Sequence, residues 1–214
     1  MGKTSENSSS RRRSIPFAVV GPSGVGKATI LSRVLERVPG LALVKSLTSR
    51  PERPDDGTLG KYRYVSQEEF QALIGQNAFI EWAEVHGHYY GTTSAAFEEA
   101  VDSGKDPILE IDVQGAKNIK AIYPETVLIF VAPPNFQALR ERLHTRSSEP
   151  EKEIQARLKD AKREMEETGS FDYLVINDQL EVAVKGVESI IVAERLKTGT
   201  VIEGLGEDSF GQDS

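Results

Sequence analysis

The chain is 214 residues long, has no cysteine and carries a formal charge of −7 at pH 7. That length buries a complete α/β core without disulfides or structural metals, and the missing cysteines remove any disulfide scaffold. The charge divides as +3 on residues 1–14, −4 on 198–214 and −6 on 15–197, the reverse of the basic face that nucleic acid selects. The longest apolar runs, residues 127–134 and 187–193, fall well short of the ~20 residues of a spanning helix, and residues 1–14 lack the apolar run of a secretory signal. A cytoplasmic protein with no membrane or nucleic-acid partner is expected.

Along the chain, residues 1–14 and 198–214 are rich in Ser, Asn, Gly, Asp and Glu and are expected to be disordered tails around a folded part at 15–197. Arg11, Arg12 and Arg13 read as part of a solvated tail. The first predicted strand is Ile15–Val20, followed by GPSGVGKAT and a helix with Ile30, Leu31, Val34, Leu35 and Val38 on one stripe. A second strand is predicted at Leu41–Ser46. The β-like pieces Tyr62–Val65 and Phe79–Val85 then flank a helix opened by a Ser66/Glu69 capping box, carrying Phe70, Leu73 and Ile74, and closed by Gly75. Strands follow at Pro107–Asp112 and Val127–Ala132, with a helix from the Ser148/Glu151 turn whose stripe is Ile154, Leu158, Ala161 and Met165, ending before Gly169. Tyr173–Asn177 is the last strand, and Asp178 is a natural N-cap for the last helix. Strands apolar on both faces, alternating with helices, predict an α/β fold with a parallel sheet flanked by helices; the 49–85 block departs from that rhythm and reads as a small insertion.

The loop after the first strand carries Gly21, Gly26 and Lys27 at the G-x-x-x-x-G-K spacing, in the strand-loop-helix setting that the motif demands. Backbone N–H groups of Gly21, Pro22's neighbours Ser23, Gly24, Val25 and Gly26 can converge on an anion, the helix N-terminus adds positive partial charge, and Lys27 reaches the outer phosphates. The hydroxyl usual directly after the lysine is replaced by Ala28, with Thr29 next. Mg²⁺ keeps several waters readily, so it can be held by nucleotide oxygens and water while Thr29 turns to a phosphate.

The segments GPSGVGKAT, SLTSRPERP, KYRYVS, FIEWAEVHGHYYGT, ILEIDVQGAKNIK, IFVAPP and DYLVIND resemble the guanylate kinases, in order, from Phe17 to Lys197. The resemblance implies a P-loop NTPase-type fold, ATP and GMP as substrates with Mg²⁺, a GMP-binding insertion near 49–92 and a helical lid near 137–168. It assigns guanine to Glu81 and Ser46, with Asp112 close by. One ionised carboxylate can accept from both N1–H and the 2-amino group of guanine, whereas adenine offers neither. It assigns the acceptor phosphate to Arg50, Arg53, Tyr62, Tyr90 and Thr92, and phosphoryl transfer to Lys27, Arg50, Arg142, Arg146 and Arg157. Asn177 matches the adenine side of the ATP site, and Thr29, Glu110 and Asp112 are candidates to order water around the metal.

Other readings exist for these residues one at a time. Glu81 beside Trp82 suits a solvated strand charge, Ser46 a strand-end hydroxyl, and Arg157 an i, i+4 pair with Glu153. His86 and His88 share a strand face but lack a third ligand at zinc spacing. Two rival functions remain at this level: a kinase of another base specificity, and a non-catalytic interaction module, toward which Ala28 alone leans.

Overall fold

The computed structural model describes residues 14–52, 59–85, 87–146, 151–198 and 200. Five parallel strands form the main sheet: β1 (Phe17–Val20), β2 (Leu41–Leu43), β7 (Asp106–Glu110), β8 (Val127–Ala132) and β9 (Tyr173–Ile176), in the order β2-β7-β1-β8-β9. A second sheet holds β3 (Ser46–Thr48), β4 (Tyr62–Tyr64), β5 (Phe79–Val85) and β6 (His88–Thr93), in the order β4-β3-β6-β5. The helices are α1 (Lys27–Arg37), α2 (Gln67–Gly75), α3 (Ser94–Asp102), α4 (Val113–Ile122), α5 (Phe136–Arg146), α6 (Glu151–Glu166) and α7 (Leu180–Arg195). No helix among the described residues is long and apolar enough to cross a membrane.

Strand pleating divides the core. Phe17 and Val19 of β1, with Val127, Ile129 and Val131 of β8, pack against Ile30, Leu31 and Val34 of α1 and Val184 and Val187 of α7. Their neighbours Ala18, Val20, Leu128 and Phe130 face the other way, onto Phe97 of α3 and Ile119 of α4. Each such large side chain contributes about 1.5–3 kcal/mol by leaving water, so both helix layers are held tightly to the sheet.

The buried carboxylate of Asp106 ties the chain ends to this sheet, accepting from the Ile15 N–H at 2.9 Å and from Arg195 Nε at 2.7 Å. The helix expected after Ser66 is present as α2, with the Ser66 hydroxyl accepting from the Glu69 N–H. The stripe Ile154, Leu158, Ala161 and Met165 also packs inward from α6, while Ser148 at its expected start lies outside the described residues.

Three boundaries differ from expectation. Leu41–Ser46 is not one strand: β2 stops at Leu43, the Val44 N–H bonds back to Ile108, and exposed Lys45 carries the chain across to β3 in the second sheet. That sheet therefore begins at 46, ahead of the predicted insertion boundary at 49. Asp112 lies beyond β7 and caps α4, its Oδ1 accepting from the Gly115 N–H at 2.7 Å. Asp178 does not cap the last helix; Gln179 holds the N-cap position of α7, with no side-chain cap bond, because Asn177 and its carbonyl are committed elsewhere. Of the expected tails at 1–14 and 198–214, all but Ser14, Thr198 and Thr200 lie outside the described residues.

Candidate active site

The glycine-rich loop leaves β1 and turns into α1 beneath a cleft of about 690 Å³, within the usual range for small-molecule sites. Gly21 passes so close to β8 that a Cβ would lie 2.1 Å from the Val131 carbonyl oxygen, and its φ of 140° suits only glycine. Gly26 is the N-cap of α1 and supplies no side-chain cap, so the first N–H groups of the helix face the cleft without a side-chain acceptor. The loop is braced from behind. Pro22 accepts from the Val25 N–H, Val25 is buried in the core, and its carbonyl accepts from buried Asn177 Nδ2 at 2.7 Å and from Arg142 Nη1 at 3.4 Å. Arg142 also donates to the Asn177 carbonyl at 2.8 Å.

Lys27 Nζ folds over the loop, donating to the carbonyls of Gly21 at 2.5 Å and Pro22 at 3.2 Å. Burial lowers its pKa, opposed first by the charge of Glu110 and reinforced by that of Lys61. Ala28 lines the cleft without a ligand atom, and Thr29 is exposed on the first turn of α1, outside the cleft lining. Ser23 sits at the mouth, where its hydroxyl accepts from Arg157 Nη1 at 3.4 Å. That bond brings Arg157 over the loop.

The opposite wall is the second sheet, and a β-bulge aims it. Phe79 and Glu81 are two residues apart and in a regular strand would share a face. The register slips between them, so Phe79 pairs with Thr93 and Glu81 with Thr92, which point to opposite faces. Phe79 consequently stacks on Phe70 at 4.4 Å between centroids, while Glu81, Ala83 and Val85 line the cleft with His88 and Tyr90. Thr92 hydrogen-bonds Glu81, and its hydroxyl is 3.2 Å from that of buried Ser46.

Glu81 is only 7 % exposed, and burial raises its pKa to about 7, with Thr92 lowering it and the Asp112 charge raising it. Gly115 makes the approach possible. A Cβ there would stand 2.7 Å from Glu81 Oε2, so the carboxylate rests against the first turn of α4 beside Asp112. Sequence alone left open whether Glu81 was a solvated strand charge; it is a buried acid facing a polar pocket.

Arg50 is buried, donates to the Pro51 carbonyl at 2.7 Å, and lies 5.7 Å from the Tyr62 ring centroid. Tyr62 and Tyr90 face each other at 5.9 Å. Arg53 and His86, and the side chain of Arg146 at the end of α5, lie outside the described residues. The described residues hold no His, Cys, Asp and Glu group suited to a metal ion.

Two cleft residues escaped the sequence reading. Glu164 of α6 faces Lys27; its pKa is raised by burial, and its Oε2 has no hydrogen-bond partner among the described residues. Glu153, Arg157, Asp160 and Glu164 all line the cleft at i, i+4, i+7, i+11, a charged stripe beside the apolar one, and that spacing was the available signal. Lys61 precedes Tyr62 and pairs with Glu110 at 2.5 Å across the two sheets; nothing local marked it.

The chain matches the guanylate kinase family over residues 13–194. It is 44% identical over 181 residues to a guanylate kinase of Thermotoga maritima, covering 85% of this chain and 87% of that protein. It is 43% identical over 177 residues to a guanylate kinase of Desulfitobacterium hafniense, covering 83% and 88%. The crystal structure of guanylate kinase from Anaplasma phagocytophilum superposes with a TM-score of 0.77 at 28% identity, over 95% of this chain and 99% of that one.

Proposed function

The chain belongs to the guanylate kinase family and transfers the γ-phosphate of ATP to GMP, and we propose that Glu81, Lys27 and the cleft arginines divide that task as follows. ATP lies with its phosphates in the Gly21–Thr29 loop, under the α1 N-terminus and Lys27. GMP lies against the second sheet. Glu81, ionised, accepts from guanine N1–H and the 2-amino group; Ser46 lies beside it for O6, and Asp112 shares the α4 N-terminus. Arg50, Arg53, Tyr62 and Tyr90 hold the acceptor phosphate, while Thr92, assigned to that phosphate by the sequence, instead bonds Glu81 and orients its carboxylate.

A phosphate oxygen of GMP then attacks the γ-phosphorus in line as the bond to ADP breaks, with no protein nucleophile. The protein's part is positioning and charge, since little covalent chemistry is required of it. Lys27 meets charge on the donor phosphates, Arg50 on the acceptor, and Arg142, Arg146 and Arg157 bring the α5–α6 region over the transferring group. Arg157 already lies near Ser23. Closure of that region, near 137–168, excludes the water that would otherwise be phosphorylated.

Phosphoryl transfer of this kind needs a metal ion, and the residues fit Mg²⁺ carried in by ATP. Buried Glu110 Oε2 has no partner among the described residues and suits a metal-bound water, Asp112 stands nearby, and Ala28 offers no direct ligand. Bound there, Mg²⁺ would neutralise charge developing on the phosphate oxygens. The acidic surface and the absence of any spanning helix among the described residues support a cytoplasmic protein without nucleic-acid or membrane partners.

The observation that carries the base assignment is the buried carboxylate of Glu81 between Thr92 and Gly115. A coupled assay of ADP formation with GMP, dGMP, AMP and UMP tests it. GMP and dGMP should turn over, and AMP should be disfavoured by several orders of magnitude because Glu81 would face an acceptor. Comparable turnover of AMP would refute the assignment.

A further inference from the structure

Lys61 stands between the two ends of the cleft. Its backbone is fixed, the carbonyl accepting from the Ser46 N–H at 3.0 Å, while its side chain crosses from the second sheet to Glu110 at the end of β7. Both side chains are withdrawn from water, at 16% and 9% exposure. The Lys61 ammonium lies 5.0 Å from the centroid of the Tyr62 ring, which Arg50 approaches at 5.7 Å, and it acts electrostatically on Lys27 at the other end. The acceptor side and the donor side thus both lie within reach of one charge.

The ion pair uses only one oxygen of the carboxylate. Glu110 uses Oε1 for Lys61, while Oε2 is buried without a hydrogen-bond partner among the described residues. A half-satisfied buried carboxylate is costly, and a donor arriving with the substrates would complete it. At the same time the charge of Lys61 bears on Lys27 and lowers its pKa, against the charges of Glu110, Glu164 and Asp112, which raise it.

We propose that Lys61 is a further catalytic residue of the transfer: paired with Glu110, it moves onto the transferring phosphoryl group when both nucleotides are bound, releasing Glu110 to accept from water ordered around the phosphates. The in-line transfer spreads charge over the equatorial oxygens at the point between donor and acceptor. A lysine on a flexible four-carbon stem can deliver a charge there while its strand stays fixed. Lys61 keeps its proton throughout, and no bond to the protein forms or breaks. The inference rests on ATP-to-GMP transfer in this cleft and adds to the residues assigned above.

The competing account makes Lys61–Glu110 an ion pair that merely joins the two sheets. Steady-state kinetics and melting temperatures of wild type, Lys61→Met, Lys61→Arg, Glu110→Gln and the Lys61→Met/Glu110→Gln double variant separate the two. Lys61→Met should lower kcat about a hundredfold, the range for loss of one preorganised donor, with KM for ATP and GMP changed about threefold or less. Lys61→Arg should recover most of kcat, and the loss from Lys61→Met should persist in the Glu110→Gln background. The proposal is overturned if Lys61→Met lowers only the melting temperature, or if its effect on kcat vanishes once Glu110 is glutamine. An active wild type with an equally active Lys61→Met refutes this role alone, whereas a wild type that forms no ADP in response to GMP refutes the underlying reading as well.

Discussion

Replacing Glu81 by glutamine should stabilise the empty protein while weakening GMP. In the folded protein burial raises the Glu81 pKa to about 7 from the usual 4.5 of an exposed glutamate. A carboxylate whose folded pKa is raised binds its proton more tightly folded than unfolded, so stability falls as pH rises between those values and the full cost is present above pH 7. That interval of 2.5 corresponds to about 3 kcal/mol at pH 8. Allowing about 1 kcal/mol for a buried amide that finds too few acceptors, about 2 kcal/mol remains. For a domain of this size the gain is roughly 4–8 °C in melting temperature. The rise should be present at pH 8 and should shrink toward pH 5, where wild-type Glu81 is itself protonated. Wild type should show the same ionisation in binding: its KM for GMP is flat above pH 7 and rises about tenfold per unit below it, because a proton must leave before both guanine donors can be accepted. Differential scanning calorimetry at pH 5 and pH 8, with GMP titrations from pH 6 to 8, makes the measurement. An unchanged melting temperature at pH 8 together with a KM independent of pH would refute the reasoning.

Gly115→Ala places a methyl 2.7 Å from Glu81 Oε2, so it should raise KM for GMP at least tenfold while KM for ATP stays nearly constant, as initial-rate kinetics would show. Ala28→Ser should change turnover or Mg²⁺ demand by about tenfold or less, since water would take the coordination position a hydroxyl there would fill, whereas Lys27→Ala should cost several hundredfold in kcat by removing a full charge from the closed site. Parallel Mg²⁺ and ATP titrations at saturating GMP compare the two, and an inert wild type restored by Ala28→Ser would sink the metal argument. Asp106→Ala strands the Arg195 guanidinium and the Ile15 N–H, so urea denaturation should reveal a loss of about 3–5 kcal/mol.

The phosphate loop was legible because its chemistry is local. Gly21, Gly26 and Lys27 act through backbone N–H groups and a helix start within one short stretch, and that stretch fixes its own geometry. The parallel sheet was legible for a related reason: strands such as Val127–Ala132, apolar on both faces, have no stable place except between two helix layers. The order of the guanylate-kinase-like segments carried the substrates. Several boundaries were not legible. Nothing within Leu41–Ser46 says that the chain changes sheets at Lys45, since the partner that ends β2 is Ile108 and the one that begins β3 is Lys61.

What only tertiary structure decided is the character of the acidic and basic groups. Glu81 reads equally as a solvated strand charge until the bulge between Phe79 and Glu81 turns it inward and Gly115 of α4 lets it be buried. The Lys61–Glu110 pair joins strands of different sheets, and Glu164 reaches the loop only because α6 lies across it. Charge identity is written residue by residue, but pKa and partner depend on desolvation and on distances between segments far apart in the chain. Those quantities exist only once the two sheets and α6 have closed around the same cleft.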